Sequence, residues 1–580
     1  MTDTRFRKTI LLIWAAVSLL LLAITAPTIV HRQFPDPDDQ MRLLQVRDWL
    51  AGQSWFDVTQ YRLSPPGGVP MHWSRLVDLP IAAIILIVRP LLGHDTAALA
   101  ALVIVPLLTM GAVLLLVGLI ARRVFDPEPA LLAVCLAPMC VEVLHQIRPM
   151  RIDHHGWQMA LALLATFALL DRDRRRAGII AGLAVAVWLA ISLEGLPMVA
   201  AIVALVTVRW IVSRDDAPLL RATLATATAA SIVIALATQP LAAWRAAACD
   251  AMSLPYLTAL VVATTGLTCA SLLPLRHWAL RLGAAGIVGV LTLASVPLVA
   301  PACAAGPFAQ LDPLVHDLWY LYVPEGLPIW QQSAKIIVNS IVIPVLGCVG
   351  TVIGWRNATT DETRRRWATL VVLTSAATAA ACLVQRASGV ALLIALPGTV
   401  RLLYPALVRV RQMPNIALRT AATLALLLVA APGLAIGPAA ALIAPDPQET
   451  TAREARACLV ADNAAALRSV PQGVILAPLD ISPSILGFTP HSAIGSGHHR
   501  GHAAMHDVIA AFTGSPAVAR DIVRRRGVDY VAICPGLAEA DIYEKVAPAG
   551  FFARLDRGHA PDWLTPVPLA GSSMRLWRVK

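Results

Sequence analysis

The feature of this sequence that most restricts its fold is a long series of apolar runs of about 15–25 residues, with the charged residues confined to the gaps between them. Of the 580 residues, 57% are hydrophobic and only 14% are charged. A soluble domain cannot bury so much apolar surface, whereas a helix in a bilayer satisfies its own backbone hydrogen bonds. The sequence therefore predicts a mainly α-helical protein that crosses a membrane many times.

The first apolar run, residues 10–30, follows a basic amino terminus and ends without the small-residue site at which signal peptides are cleaved. We expect it to remain as the first crossing, with its amino end in the cytoplasm. Further crossings are predicted near 97–120, 130–144, 157–170, 178–193, 196–212, 221–240, 256–275, 281–302, 335–354, 368–384, 389–408 and 419–444.

One more apolar segment, 79–93, is short and contains Pro80 and Pro90. Arginine-rich loops such as 171–176 and 209–221 fall on the cytoplasmic side, where such loops normally stay, only if this segment does not cross. We therefore predict an interfacial or re-entrant helix at 79–93 and about thirteen crossings.

The same alternation predicts that the first loop (31–78), a later loop (303–334) and the tail lie on the extracytoplasmic side of a bacterial-type inner membrane. The composition becomes less apolar near residue 444. We predict a transmembrane domain at 1–444 and a small soluble α/β domain at 445–580. Its expected strands are 474–477, 530–533 and 574–579, and its expected helix is 517–526.

Charge and cysteine content exclude some alternatives. The net charge is +11, but much of the arginine lies in short loops between crossings, so we expect no nucleic-acid partner. The nine cysteines show no zinc-binding spacing. Seven lie in or next to apolar segments and are expected to be buried small hydrophobic side chains. Cys458 and Cys534 lie in the tail and would be able to pair in an oxidising compartment.

The first polar island follows the first crossing and contains Asp36, Asp38 and Asp39. Three carboxylates within four residues repel one another, and a divalent cation relieves that repulsion. A solvated turn is the alternative reading. Arg42 follows on the segment 41–50, whose apolar spacing predicts an amphipathic helix on the membrane surface.

The second polar island, 151–155, contains Asp153 and His155 in a later gap on the same side. A carboxylate and an imidazole can share a metal ion, and an oxygen-rich site with one nitrogen suits Mn²⁺ or Mg²⁺. The alternative is that His154 and His155 are interfacial histidines without a ligand.

The pattern Asp36-Pro37-x-x-x-Met41-Arg42 resembles the first acidic motif of the catalytic subunit of oligosaccharyltransferases, and Asp153-x-His155 is similar to their second acidic motif. Those enzymes are thirteen-span glycosyltransferases of the GT-C fold. The resemblance implies that fold and the transfer of a sugar or oligosaccharide from a polyprenyl-(di)phosphate donor to an acceptor on the extracytoplasmic face. It also implies a divalent metal, Mn²⁺ or Mg²⁺, held by Asp36, Asp153 and His155.

Further residues follow from the resemblance. Glu325, in the loop 303–334, matches a glutamate that helps to hold metal and acceptor, although a simple turn carboxylate remains an equal alternative. Asp36, Asp38, Asp39 or Glu325 would orient or deprotonate the acceptor. Arg386, at the outer end of a late crossing, would bind the donor phosphate through its planar guanidinium.

Other candidates are supporting residues. Arg401, deeper in the crossing that follows Arg386, is a second candidate for the donor phosphate. Glu194 stands where two crossings meet, and an ionisable group there is costly unless it is used. His499 and Arg500 lie in a glycine-rich tail loop that would be able to reach the phosphates or the acceptor, with a surface loop as the alternative. A histidine-bound metal in that loop is not favoured, because no acidic residue stands nearby in the sequence.

The tail departs from the oligosaccharyltransferase pattern, because it lacks the Trp-Trp-Asp-Tyr-Gly motif that recognises the asparagine acceptor sequence; Trp563 and Trp577 stand singly. The sequence therefore leaves three acceptor classes open, namely lipid, polysaccharide and protein, and the expected partners are membrane lipid and the lipid-linked donor. The competing hypothesis is a transporter or flippase of lipid-linked sugars. Transporters usually place their charges near the bilayer midplane, whereas here the acids lie in loops.

Overall fold

The structure is a computed structural model, and it describes residues 2–240, 243–244, 247–308, 311–433 and 461–580. Up to residue 433 its helices are α1 (Asp3–Val30), α2 (Pro37–Leu50), α3 (Arg75–Arg122), α4 (Pro127–Leu136), α5 (Val141–Gln146), α6 (His155–Leu169), α7 (Arg174–Ile191), α8 (Leu196–Val212), α9 (Ala217–Thr238), α10 (Leu254–Leu272), α11 (Trp278–Val299), α12 (Pro313–Leu318), α13 (Ala334–Arg356), α14 (Asp361–Leu383), α15 (Ser388–Arg411) and α16 (Ile416–Ala430).

Among the described residues, nine helices are long and apolar enough to cross a membrane: α1, α3, α8, α9, α10, α11, α13, α14 and α15. The shorter helices α4, α6, α7 and α16 occupy the remaining predicted crossings. The predicted fold class, a polytopic and mainly α-helical membrane protein, is confirmed.

Gly93 divides α3 into two helical parts. Its backbone has φ 78° and ψ 174°, a conformation that glycine adopts at little cost because it has no Cβ. The part before Gly93 is the apolar segment 79–93, and the part after it contains the crossing predicted at 97–120. Ile87 and Leu91 on the first part are exposed, as the apolar side of an interfacial helix would be.

Small residues allow several helices to pack closely. A Cβ on Gly350 of α13 would lie 1.8 Å from the carbonyl oxygen of Gly398 of α15, and a Cβ on Gly182 of α7 would lie 2.5 Å from that of Thr223 of α9. Glycine at such contacts lets two backbones approach inside a membrane, where van der Waals packing drives helix association. The close contact with α13 thereby fixes α15, the helix that begins directly after Arg386.

Helix α2 is not where the sequence predicts it. Residues 39–46 are all buried, on every side of the helix, so α2 does not lie on the membrane surface. It packs against α3 on one side and against the tail helix α18 (Ser482–Phe488) on the other. Ser484 donates a hydrogen bond to Oε1 of Gln40 at 2.9 Å in this interface. The apolar spacing of 41–50 therefore reflects burial between two parts of the protein.

The first loop also contains a short hairpin, β1 (Thr59–Gln60) and β2 (Val69–Pro70). The tail forms a separate five-stranded sheet in the order β4-β3-β5-β7-β6, in which β4-β3-β5 are parallel and β5-β7-β6 antiparallel. Its strands are β3 (Val474–Leu476), β4 (Ser492–Ala493), β5 (Tyr530–Ile533), β6 (Leu564–Val567) and β7 (Arg575–Val579).

Helices cover the sheet of the tail and form an apolar core with it. Besides α18 they are α17 (Ala461–Ala465), α19 (His502–Thr513), α20 (Pro516–Arg526), α21 (Ala538–Val546) and α22 (Phe551–Asp556). The three predicted strands and the predicted helix of the tail are thus confirmed to within two residues. Gly527 ends α20 in the left-handed conformation, with φ 61°. The predicted boundary at 444 and Cys458 lie outside the described residues, so the boundary and the pairing of Cys458 with Cys534 stay predictions.

The tail is attached to the first loop by backbone and side-chain hydrogen bonds. Arg62 donates to the carbonyl oxygens of Leu486 and Thr489, at 2.6 Å and 2.8 Å. The backbone N–H of Ala493 donates to the carbonyl of Arg62, and that of Ser64 donates to the carbonyl of Ala493. The carboxyl ends of β3 and β4 therefore lie over the first loop.

Two cysteines differ from the prediction. Cys249 and Cys303, expected to be buried hydrophobic side chains, form a disulfide between the loop after α9 and the turn after α11. Both stand just outside apolar runs, which is why composition alone assigned them to the apolar segments. Disulfides persist in oxidising compartments.

Candidate functional site

The two polar islands predicted from the sequence meet in the structure. Oδ1 of Asp39, which is fully buried, accepts hydrogen bonds from the backbone N–H groups of Ile152 (2.8 Å) and Asp153 (2.9 Å). Arg151 donates to Oδ2 of Asp39 at 3.1 Å and lies 2.7 Å from Oδ2 of Asp36. All of these contacts join residues of the first loop to residues of the second island.

Asp36 and Asp38 differ from Asp39 because their side chains stay partly exposed, by 24% and 37%. Asp36 caps the amino end of α2 by accepting from the N–H of Asp38. Burial raises the pKa of Asp36, and Arg151 offsets part of that rise. Burial alone would also raise the pKa of Asp38, but His498, 3.3 Å away, brings it below its ordinary value.

Arg42 is a buried link between the islands. Its Nη1 donates to Asp78 at 3.1 Å, its Nη2 donates to Asp153 at 3.5 Å, and its guanidinium lies 4.7 Å from the ring centroid of Trp73. Gln45 donates to the other oxygen of Asp78 at 2.7 Å. A buried arginine needs such partners, so Arg42 orients Asp153.

The second island places two imidazoles on one carboxylate. Nδ1 of His154 lies 2.5 Å from Oδ1 of Asp153, and Nδ1 of His155 lies 2.8 Å from Oδ2. Nε2 of each ring faces Oε2 of Glu194, at 3.4 Å and 3.8 Å. Burial would lower the pKa of His154, but Asp153 and Glu194 raise it to about 10.

Glu194 is held in the short turn between α7 and α8 by further polar groups. Arg386 is paired with its Oε1, and Gln158 donates to its Oε2 at 2.9 Å. Trp188 in turn donates to Gln158 at 3.0 Å. Arg386 and Gln158 together fix the orientation of this carboxylate.

Glu325 stands in the turn Pro324–Gly326, half-buried, and its charge acts on Asp36, Arg151 and Arg386. The structure therefore brings it to the edge of the cluster. Arg401 lies elsewhere: fifteen residues along the chain from Arg386 correspond to about 22 Å of helix. Arg386 and Arg401 therefore do not serve one phosphate.

The glycine-rich loop of the tail reaches the membrane part, but with different residues from those predicted. His498 faces Asp38, while His499 and Arg500 bind Asp250 in the loop after α9. The prediction that these histidines have no acidic partner is wrong, because Oδ2 of Asp250 lies 2.7 Å from Nε2 of His499. The sequence did not show this because the two residues are 249 positions apart.

Sequence reasoning also missed Asp480, which follows β3 and faces the same region. Burial raises its pKa to about 6, and the charge of Asp36 adds to the effect. Glu539 accepts the backbone N–H groups of Leu479 and Asp480, at 2.8 Å and 2.9 Å, and so fixes the turn. A lone aspartate after a buried strand was the available signal, because ligands often bind at the carboxyl ends of parallel strands.

The residues of the second island fit a metal ion. Asp153, His154 and His155 offer ligand atoms that all lie within 4.8 Å of one another. Oδ2 of Asp153 and Nδ1 of His155 are buried and contact each other at 2.8 Å without hydrogen-bond geometry, and Nε2 of His155 is buried without a hydrogen-bond partner among the described residues. A bound cation would satisfy them. Asp36, from the predicted ligand set, is outside this group and bonded to Arg151.

Two cavities adjoin the cluster and share the side chains of Leu189 and Met252. One, of about 790 Å³, has a mixed lining of apolar and polar residues, the latter including Ser192 and Asp250. The other, of about 930 Å³, is almost entirely apolar and lies among α8, α10 and α11, with Leu196 at its edge. A cavity of mixed polarity therefore adjoins an apolar one beside the turn that carries Glu194.

No family model and no curated protein matches the sequence. The fold is similar to solved structures of the oligosaccharyltransferase of Archaeoglobus fulgidus. The apo form aligns with 91% of this chain and 70% of that chain, with a TM-score of 0.67 and 14% identity. The archaeal oligosaccharyltransferase AglB in complex with an inhibitory peptide and a dolichol-phosphate aligns with 89% of this chain and 69% of that chain, with a TM-score of 0.64 and 14% identity.

A third structure, the A. fulgidus enzyme in complex with Zn and sulfate, aligns with 90% of this chain and 68% of that chain, with a TM-score of 0.59 and 14% identity. The chain therefore has the GT-C fold of the oligosaccharyltransferases. The resemblance carried by the two acidic motifs is confirmed at the level of the fold.

Proposed function

We propose that this protein is a membrane glycosyltransferase that moves a sugar or oligosaccharide from a polyprenyl-(di)phosphate donor to an acceptor on the extracytoplasmic face. The observation that carries the proposal is the single cluster formed by Asp36, Asp38, Asp153, Glu194 and Arg386 beside an apolar cavity. The GT-C fold supports it.

The donor would lie with its lipid tail in the apolar cavity among α8, α10 and α11 and its phosphate at Arg386. Glu194 occupies one amino group of Arg386, while Nε of Arg386 is buried without a hydrogen-bond partner among the described residues. That N–H is free to donate to a phosphate oxygen. The complex of the similar AglB with a dolichol-phosphate is consistent with such a donor.

Asp153, His154 and His155 would hold a divalent metal. The sequence predicts Mn²⁺ or Mg²⁺, but two imidazoles beside one carboxylate also suit Zn²⁺. A divalent ion there supplies stabilisation of the negative charge that develops on the leaving phosphate. The protein's own contribution is to fix these ligands, because Arg42 holds Asp153 and the backbone of Asp153 is held by Asp39. Asp36 would join the ligand set only after release from Arg151.

The acceptor would enter on the side of Asp36, Asp38, Glu325 and Asp480. Asp38 is the most exposed acid of the first island and is paired with His498, so it is our candidate for orienting or deprotonating the acceptor. Asp39 is fully buried and fully bonded, which makes it a positioning residue. Acceptor classes remain lipid, polysaccharide and protein.

Two observations bear on the acceptor and on orientation. Trp563 stacks on Phe551 inside the tail, and Trp577 is buried there, so neither replaces the missing Trp-Trp pair in the cluster. Transfer to asparagine is therefore not favoured. The disulfide Cys249–Cys303 supports an extracytoplasmic position for the cluster, because it joins loops on that end of the helices.

The test uses membranes from a strain that lacks this protein, in which the unused lipid-linked sugar accumulates. The purified full-length protein is added in liposomes with that radiolabelled lipid fraction, and release of the sugar to acceptors is followed. We expect Asp153→Asn to lower transfer at least about 100-fold and Arg386→Gln to lower it about 10–100-fold, while Asp317→Asn, at an exposed site of α12, retains it. Full activity of both variants would refute the proposal. Movement of the labelled lipid across the bilayer without a new glycosidic bond would identify a flippase instead.

A further inference from the structure

A second cluster of ligating side chains lies outside the candidate active site. It consists of His72 from the first loop, Asp250 from the loop after α9, and His499 from the tail, whose ligand atoms all lie within 4.8 Å of one another. Nε2 of His499 is 2.7 Å from Oδ2 of Asp250, and the ring centroids of His72 and His499 are 4.6 Å apart. These three residues come from three distant parts of the chain.

We propose that His72, Asp250 and His499 bind a Zn²⁺ ion that fastens the tail domain to the membrane part of the protein. Two imidazoles and one carboxylate are a common zinc donor set, with a water in the fourth position. The cavity of about 790 Å³ is lined by His72 and Asp250 and supplies the space for that water. The site shares no ligand with the Asp153, His154 and His155 group.

The surroundings hold each ligand in place, as metal sites require. Arg500 donates from Nε and Nη2 to the two oxygens of Asp250, at 2.7 Å and 2.9 Å, and from Nη1 to the carbonyl of Met71, the residue before His72. The ring of Phe308 packs against His499 with centroids 5.1 Å apart. One arginine thus orients two of the three segments that provide ligands.

The disulfide anchors the loop that carries Asp250. Cys249, the residue before Asp250, is bonded to Cys303, and the hydroxyl of Tyr256 donates to the carbonyl of Cys249 at 2.7 Å. The disulfide and Tyr256 therefore hold the loop that carries Asp250. The tail contacts this loop through His499 and Arg500. A metal ion at this junction would add a direct link from the loop after α9 to the first loop and the tail.

The test measures zinc on the full-length protein in detergent, after removal of metal with a chelator. Zn²⁺ alone is titrated in competition with a chromophoric chelator, and the thermal midpoint is recorded with and without the ion. We expect His72→Gln and His499→Gln each to lose one zinc equivalent, with affinity lowered more than about 100-fold. The zinc-induced rise in thermal midpoint should disappear in both variants.

Two controls make the result specific. His559→Gln changes an exposed histidine of the same domain and should keep both the equivalent and the thermal shift. Asp153→Asn should also keep this equivalent, because that residue belongs to the other group. Unchanged stoichiometry and affinity in His72→Gln and His499→Gln would overturn the proposal.

Zinc-edge X-ray absorption identifies the ligands directly. The Asp153→Asn protein, in which the other group has lost its carboxylate, should show two imidazole ligands and oxygen when loaded with one equivalent. A spectrum without imidazole scattering would refute the site.

Discussion

Asp39 accepts the backbone N–H of Asp153 at 2.9 Å, and so joins two residues that are 114 positions apart in the sequence. The same carboxylate also accepts from Ile152 and Arg151. Asp39 therefore holds the two islands together from a buried position. Asp36 and Asp38 are more exposed and are the acids of this island that a substrate can reach.

Replacement of Asp39 should damage the architecture of the site. Asp39→Ala leaves Arg151 with one carboxylate fewer and two buried N–H groups without an acceptor. We expect the free energy of unfolding to fall by about 3–5 kcal/mol, as when one partner of a buried ion pair is removed. The thermal midpoint in detergent measures this. Asp317→Ala, at a mostly exposed side chain, is the matched control, and equal midpoints for both variants would contradict the prediction.

Arg386 and Arg401 offer a direct comparison of two candidate phosphate ligands. Arg386→Gln should raise the donor KM and lower kcat/KM by about 10–100-fold, because a charge-assisted hydrogen bond contributes about 1.5–3 kcal/mol. Arg401→Gln, about 22 Å along the helix, should leave the donor KM unchanged. Arg386→Lys should recover only part of the activity, because lysine lacks the planar fork. If the Arg401 variant were the one with the raised KM, the donor would bind deeper in the membrane.

Glu539 should make the stability of the tail depend on pH. Burial, followed by repulsion from Asp480, raises the pKa of Glu539 to about 8 from an ordinary 4.5. The folded state therefore holds its proton at pH values where the unfolded chain has lost it, so the contribution is complete below pH 4.5 and declines as pH rises towards 8.

Glu539→Gln removes the titration. We expect the thermal midpoint of the wild-type protein to fall between pH 5 and pH 8 more steeply than that of the variant. The variant also loses one acceptor for the N–H of Asp480, so its midpoint should be lower at pH 5. Parallel curves over this range would show that Glu539 titrates normally.

The contact between α13 and α15 should be intolerant of side chains. Gly350→Val would place Cβ 1.8 Å from the carbonyl of Gly398, and overpacking of this kind costs about 1–3 kcal/mol or more. We expect reduced folded yield and a lower thermal midpoint. Gly286→Val in α11 is matched in residue type and helix position but has nothing within 4 Å, so it should have little effect. The idea fails if both variants behave alike.

The sequence predicted the meeting of the two islands because arginine-rich loops determine which gaps share a side of the membrane. That reasoning brought Asp36, Asp153, Glu325 and Arg386 to one end of the bundle. The sequence could not predict which acids would pair with Arg151, because the pairing depends on how α2 packs against α3 and α18. Periodicity identifies the apolar face of 41–50 but not what covers it, and the covering helix α18 lies more than 400 residues later.

The partner of His499 was beyond sequence reasoning for a similar reason. Asp250 is a single acid in an alanine-rich loop, and its position beside the tail results from tertiary packing. The disulfide of Cys249 was missed for the same reason. Its apolar sequence neighbours suggested a buried hydrophobic side chain, and its partner Cys303 comes close only in the folded chain. His154 was known as part of the second island, but its contacts with both Asp153 and Glu194 require the turn between α7 and α8.

The bond from Arg62 to the carbonyl of Thr489 spans 427 residues of the chain. At a synthesis rate of about 5–20 residues per second, the ribosome needs about 20–90 s to make that interval. For that time the guanidinium of Arg62 and the amide of Gln40 are without their partners in the tail, and the cluster is open above α2. Closure of the site is therefore a late event in biogenesis. A chain released before residue 489 would lack the residues that cover the first loop.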